Sequence, residues 1–385
     1  MRRFYFDHNA TTPISPQVLE VHAQVLVEVF GNASSIHHHG QSARRTLDEA
    51  RAQVASLLGC GRKEIVFTSG GTESDNLAIF GAVRHRPGAH LITTAIEHPA
   101  VLRSCERLEQ DGARVTYLNP DSGGAINPAQ VRAAIRPETA LISVMHVNNE
   151  IGSIQPLAEI SRIARQAGIP FHSDGVQAAG RIPVDAAALG VDLYSISGHK
   201  MYAPKGVGAL FVRKGTALDP VLFGGRHEGG LRAGTENVAG AAALGEAARL
   251  ARERLEEESD RIAALRDRLE TGILDRVPET RVNGAGPRVP NTTNIQFEGI
   301  EGEAIVIALD LRGFCVSSGS ACSSGAVEPS HVLMALGLSK QQAKSSVRFS
   351  LGASSTEENV DALIDSVEQS AAHLRRLSPS WVSHA

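Results

Sequence analysis

Cysteine is scarce in this 385-residue chain, which has four: Cys60, Cys105, Cys315 and Cys322. They are too few and too scattered for the disulfide framework of a small secreted domain. The spacing of Cys315 and Cys322 fits none of the usual short zinc-ligand patterns. A free, reactive thiol stays open as an option. Basic charge is not in surplus either: 38 Lys and Arg against 42 Asp and Glu give a formal net charge of −4. Nothing therefore advertises nucleic acid or an anionic membrane as a partner. No window approaches the roughly 18 consecutive apolar residues of a membrane helix. The opening MRRFYFDHNATTP has no apolar run and meets Asp7 early, so it does not read as a signal or transit peptide. The expectation is a cytoplasmic protein acting on small molecules or other proteins, with no direct nucleic-acid or membrane contact.

Hydrophobic residues at 42% and charged residues at 21% argue against a disordered chain. The length suffices for a large α/β unit with a smaller companion. From about residue 60 to 215, short apolar runs alternate with Gly-, Ser- or Asn-rich turns and amphipathic stretches. KEIVFTSGG, AHLITTAIEH, ARVTYLN, TALISVMHVNNE, IPFHSDG, DLYSISGHK and VGALFVRK read as strands with polar residues at their C-terminal ends. That alternation predicts βαβ units and a mainly parallel, buried sheet, with ligands beyond the carboxyl ends of the strands. Residues 236–275 are Ala-, Leu-, Glu- and Arg-rich with helical spacing and no Pro, predicting a long helix with Gly245 as a candidate kink. The predicted layout is a large domain over 15–255 with a seven-stranded sheet, and a smaller α+β domain from 1–14 and 256–385.

Three stretches at strand ends carry chemistry. TSGGTESDN, residues 68–76, leads from a strand into a helix, so the backbone N–H groups of Gly70, Gly71 and Thr72 would face an anion such as a phosphate. It lacks the endings of a Walker loop and of G-x-G-x-x-G; a plain glycine turn before a capped helix is the bland alternative. SISGHKMYAPKGVG, residues 195–208, offers Lys200 and Lys205 as candidates for a desolvated, nucleophilic amine. FHSDGVQAAG, residues 171–180, puts Asp174 where a buried carboxylate needs a cationic partner. A phosphate cradle, an acid for a pyridinium nitrogen and an amine for a Schiff base, in that order, are what pyridoxal 5′-phosphate requires.

The stretch SSGSACSSGAVEPS, residues 317–330, sets Cys322 among small residues where a thiol cannot pack. Together with DHNATTP, TSGGTESDNLAI, EHPAV, HVNNEIG, SDGVQAAG, SGHKMYAPKGVG, RAGTEN and SVRFSLG, all in order, it resembles the NifS/IscS-type cysteine desulfurases over nearly the full length. These have the class V aminotransferase fold, fold type I of the pyridoxal phosphate enzymes. The SGSAC context is closer to the group containing NifS and IscS than to the SufS-like group.

The resemblance implies that Lys200, not Lys205, carries the cofactor, that Asp174 holds its ring nitrogen, and that Gln177 and Asn149 contact the ring oxygen or the substrate. His98 is implied to stack on the ring and move protons. Gly71, Thr72, Ser197 and His199 are implied to bind the phosphate, with Thr235 reaching over from a second subunit of a homodimer. Arg348 is implied to clamp the carboxylate of L-cysteine. Cys322 would receive sulfur as a persulfide, leaving alanine, and deliver it to an acceptor or cluster scaffold protein for iron–sulfur assembly or thiolation. No resident metal is implied; Cys322 would meet a cluster only on a partner. Cys315, in the apolar GFCV run, is expected in the core, and Cys60 and Cys105 are expected to be structural. Ala33 stands where the family usually has Pro, and His37, His38 and His39 form an unusual triplet. The rival readings are a selenocysteine lyase or another class V aminotransferase-like enzyme, and a non-catalytic iron–sulfur scaffold.

Overall fold

The computed structural model describes residues 3–84, 86, 88–318 and 328–377, so Cys322 lies outside the described residues. The strands, in chain order, are β1 (Phe4–Tyr5), β2 (Ile65–Thr68), β3 (His90–Thr94), β4 (Arg114–Leu118), β5 (Thr139–Ser143) and β6 (Phe171–Asp174). They continue with β7 (Leu193–Ser197), β8 (Gly208–Val212), β9 (Thr280–Val282), β10 (Thr292–Phe297), β11 (Phe314–Cys315) and β12 (Ser346–Ser350). Seven of them form one sheet in the order β2-β8-β7-β6-β5-β3-β4. The pairs among β3 to β7 are parallel, whereas β8 runs antiparallel to both its neighbours. The expected mainly parallel seven-stranded sheet is therefore present. Helices cover both faces, so every residue of β2, β3, β5, β6, β7 and β8 is buried, which is why these runs read as near-continuous apolar stretches.

Strand register brings two distant segments together. Gly208, at the start of β8, pairs with Thr68 on one side and with Ser197 on the other. The carboxyl ends of β2 and β7 therefore lie side by side, separated only by a glycine. The turn after Thr68 thus sits next to the segment that leads to Lys200.

Two smaller sheets complete the fold. β12-β10-β9 is antiparallel, and β1 pairs with β11 in parallel, which ties the N-terminal residues to the later part of the chain. The helix Val238–Arg276 joins the two regions in 39 residues. Its first half contributes Ala241, Leu244 and Ala248 to the core behind the large sheet. Its second half contributes Ile262, Leu265, Leu269 and Ile273 to a separate core with Phe6, Phe297 and Val347.

Two local expectations are corrected. The long helix runs unbroken through Gly245. A Cβ there would lie 2.7 Å from Ala50 Cα, so this glycine permits close approach of the helix His38–Leu57. Cys315 is only partly buried, because β11 is a two-residue edge strand. The histidine triplet also gains a structural reading at its first member: His37 caps the helix His38–Leu57, its Nδ1 accepting from Gly40 N at 3.3 Å.

Candidate active site

The turn after β2 opens the helix Gly71–Val83 with Gly70 as its N-cap, and no side chain caps it. Its first-turn N–H groups are thus available to a ligand, as an anion site requires. Gly70 has φ of 153°, a conformation side chains rarely adopt, and it faces Ser197 Oγ, which would lie 3.6 Å from an added Cβ. Gly71, Thr72 and Ser197 therefore share one small cradle. Thr68 Oγ1 and Ser74 Oγ bond each other at 2.8 Å beneath it.

Lys200 ends the short 3-10 turn that follows β7. Its Nζ donates to Asn9 O and Ala10 O, the second at 2.8 Å. Both partners are neutral carbonyls, so burial, with Arg181 and Arg348 nearby, pushes the amine down to about 7. Lys205 is exposed in the following turn. His199 turns its Nδ1 to Thr11 Oγ1 at 3.1 Å, and burial lowers it to about 4.

Asp174 ends β6 and is 5% exposed. Its Oδ1 accepts from Val176 N at 2.9 Å. Among the described residues no Lys or Arg pairs with it, and burial together with Asp75 raises its carboxyl to about 6. Asp75 lies in the helix Gly71–Val83, and burial lifts it to about 7. Behind these carboxylates His172 contacts Asp75 at 3.5 Å, Ser195 Oγ at 3.0 Å and Ser143 Oγ at 2.8 Å. His98 is the N-cap of the helix Pro99–Gln110, with Nδ1 accepting from Ala100 N at 3.1 Å. Burial, opposed by Asp174, keeps its ring below the ordinary histidine value. Side-chain atoms of His98, Asp174 and Asp75 lie within 4.8 Å of one another.

Arg348 lies in β12, 5% exposed. Nη2 donates to Asp7 Oδ1 at 2.7 Å and Nη1 to Asn149 O at 3.1 Å, while the buried Nε has no partner among the described residues. A two-pronged clamp on a carboxylate would need Asp7 to release Nη2. Asn149 thus meets Arg348 through its backbone. The Gln177 amide is engaged by the protein: Nε2 donates to Asn9 O at 3.1 Å, and Oε1 accepts from Arg181. Thr235 is exposed, and no described hydrogen bond ties it to the cradle of its own chain.

The residues on either side of the Cys322 segment are held at this site. Ser317 and Arg348 exchange backbone hydrogen bonds at 3.2 and 2.7 Å. On the other side, Ser330 Oγ donates to Glu150 Oε2 at 2.5 Å, and His331 Nε2 lies 2.9 Å from Glu97 O, next to His98. Glu97 and Glu150 are buried carboxyls, both raised by burial.

Sequence reasoning missed Asn9, Asp7, Arg181 and Gly208 as site-builders. Asn9 is a hub: its Nδ2 donates to Asn149 O and Thr292 Oγ1, and its Oδ1 accepts from Arg181 and Asn291. The only signal was its place in DHNATTP. The residues present fit pyridoxal phosphate. Among the described residues, an uncapped helix start faces a serine, a buried carboxylate has no cationic partner, a lysine is held with lowered basicity, and a buried guanidinium nitrogen has no hydrogen-bond partner.

The sequence pattern of the family described as Aminotransferase class-V matches residues 4–363. A cysteine desulfurase IscS of Dictyoglomus turgidum is 46% identical over 381 residues, 98% of this chain and 97% of that protein. An IscS of Anaeromyxobacter dehalogenans is 49% identical over 383 residues, 98% of this chain and 94% of its own. Among solved structures, a NifS-like protein superposes with a TM-score of 0.91 at 35% identity, covering 97% of this chain and 100% of that one. SspA in complex with cysteine gives a TM-score of 0.81 at 38% identity, covering 90% of this chain and 98% of that one.

Proposed function

The chain belongs to the class-V aminotransferase family and is a pyridoxal phosphate-dependent cysteine desulfurase, and from that premise we propose how its own residues divide the work. The observation that carries the assignment is convergence. Lys200, Asp174 and the Gly70–Thr72 helix start lie at the carboxyl ends of β7, β6 and β2, and both flanks of the Cys322 segment are fastened there.

Gly71, Thr72, Ser197 and His199 would hold the phosphate, and Asp174 would keep a proton on the ring nitrogen. His98 would cover the ring; Gln177, once released from Asn9 or Arg181, and Asn149 would contact the ring oxygen or the substrate. When bound, pyridoxal phosphate supplies an electron-accepting ring that makes the Cα proton of an amino acid removable. Lys200 takes that proton; burial and Arg181 push it down to about 7, so that a large share of it is free amine at neutral pH. Arg348 receives the substrate carboxylate through its unpartnered Nε and its charge.

The thiolate of Cys322 then attacks the sulfur of L-cysteine. An S–S bond forms, the Cβ–S bond of the substrate breaks, and the carbon takes up protons to leave as L-alanine, so thiol plus cysteine give persulfide plus alanine without external oxidant or reductant. The persulfide passes its outer sulfur to an acceptor or scaffold protein, which fits iron–sulfur cluster assembly, the role carried in the IscS name of the relatives.

The working unit in this reading is a cytoplasmic homodimer in which Thr235 completes the partner's phosphate site. Exposed apolar side chains support it: Val27 is 77% exposed, Phe30 72% and Ile36 91%, around the helices that flank the large sheet. No helix among the described residues is long and apolar enough to cross a membrane. The test is mass analysis of the Cys322 peptide after the holoenzyme meets L-cysteine without reductant. Added mass of one sulfur atom on that peptide is expected; sulfur found only on Cys60, Cys105 or Cys315 would refute the assignment.

A further inference from the structure

We propose that Arg181 is a positioning residue for Lys200: it braces the His8–Ala10 segment that receives the lysine and places an uncompensated positive charge beside it, so that the lysine works as a free amine. The inference rests on the reading of Lys200 as the cofactor lysine, and goes beyond it by naming a group that adds to burial in lowering that lysine's basicity.

Arg181 Nη1 donates to Gln177 Oε1 and to Asn9 Oδ1, the latter at 2.9 Å, and Nη2 donates to His8 O at 3.0 Å. Every one of these acceptors is neutral. Among the described residues no carboxylate forms a salt bridge with Arg181, although a guanidinium keeps its charge even when enclosed. Lys200 Nζ meets the same segment from the other side, on Asn9 O and Ala10 O. Two cations thus share one short piece of backbone, and only one of them can shed its proton near neutrality.

The charged and titratable groups facing Lys200 are Arg181 and Arg348, Asp174 and Asp7, and the rings of His98 and His199. Arg348 is balanced by Asp7 at 2.7 Å. Asp174 is buried against Asp75, and both histidines are held below their ordinary values. Among the described residues, Arg181 is the arginine in this set with no carboxylate of its own. Its influence reaches further along the same segment, since burial and Arg181 together push His8 down to about 4. Burial also acts on Arg181 itself, which is lowered to about 10. A cation kept in such a place without an anion is a costly arrangement, and its consequence for the neighbouring lysine is the one the reaction needs.

The test measures Lys200 directly. The full-length protein, stripped of cofactor, is labelled with trace acetic anhydride across a pH series, and acetylation of the Lys200 peptide is read by mass spectrometry. Wild type, Arg181→Gln and Arg181→Lys are compared, with circular dichroism as the check on folding. Removing the charge in Arg181→Gln is expected to move the Lys200 midpoint upward by roughly 1 pH unit, burial keeping most of the lowering. Labelling at neutral pH should then fall about fivefold, and Arg181→Lys should shift it less. An unchanged midpoint in folded Arg181→Gln, or equal shifts in both variants, would overturn the proposal. Borohydride trapping of the cofactor on the wild-type protein separates the two claims: cofactor found on another lysine sinks the Lys200 reading, while a midpoint that ignores Arg181 sinks this inference alone.

Discussion

Replacing Gly208 by alanine tests how the phosphate cradle is built. Gly208 lies between the ends of β2 and β7, and a Cβ there would sit 2.6 Å from Ile196 O, 2.7 Å from Gly70 Cα and 2.9 Å from Gly70 C. Ordinary van der Waals contact begins near 3.4 Å, so the overlap is several tenths of an ångström against three backbone atoms. None of these can rotate away as a side-chain tip would. Ile196 lies mid-sheet, paired with Ala209, so the freer neighbour, Gly70, is the one that gives. Overpacking of this kind costs about 1–3 kcal/mol. If that cost falls on the cradle, cofactor affinity drops by about 5- to 150-fold, at roughly 1.4 kcal/mol per tenfold. The assay is a titration of cofactor-free Gly208→Ala with pyridoxal phosphate, followed by visible absorbance, beside thermal melts without cofactor. Wild-type affinity with a wild-type melt would refute the reasoning, because it would mean the turn at Gly70 is not held by this contact.

Three further outcomes are expected from the same geometry. Because Lys200 is pushed down to about 7, a lowered group whose free base predominates above that value, cofactor uptake by the stripped enzyme should rise with pH and level off at about pH 8; a rise continuing tenfold per unit beyond about pH 9 would contradict it. Arg348→Lys removes the orphaned Nε and the fork, so KM for L-cysteine should increase about 10- to 100-fold with a smaller change in kcat, measured by steady-state alanine release. Glu228, 3% exposed at its side chain, pairs with Arg51 at 2.6 Å and accepts from Phe67 N at 2.9 Å. Glu228→Ala strands that arginine and should cost about 3–5 kcal/mol in urea unfolding, with an unchanged midpoint speaking against the pair's role.

Much of this molecule could be read in advance, for physical reasons that differ by residue. The sheet was legible because its strands are buried on both faces, so apolar runs such as TALIS and LYSIS stand out. Asp174 and Lys200 were legible because a charged residue at the end of such a run must face something other than the core. Asn9 and Arg181 were not: they bond each other across 172 residues, and Asn9 N reaches Ser350 Oγ across 341, and no local pattern encodes that. Gly245 misled because a glycine inside a helical stretch locally reads as a weak point, whereas the helix crossing at Ala50 decides its use. Cys315 misled because its sequence neighbours are apolar while its strand is at an edge. The position of Cys322 falls outside the described residues, but Ser317, Ser330 and His331 mark where its segment starts and ends.

The most direct measurement is alanine release from L-cysteine by the purified holoenzyme, wild type beside Cys322→Ala, with the cofactor's visible absorbance recorded in both. With a thiol reductant present to discharge the persulfide, steady alanine is expected from the wild type and none beyond background from the variant, with the same absorbance in each. Equal alanine release from both proteins would contradict the role given to Cys322, because sulfur would then be leaving without the thiol that is meant to carry it first.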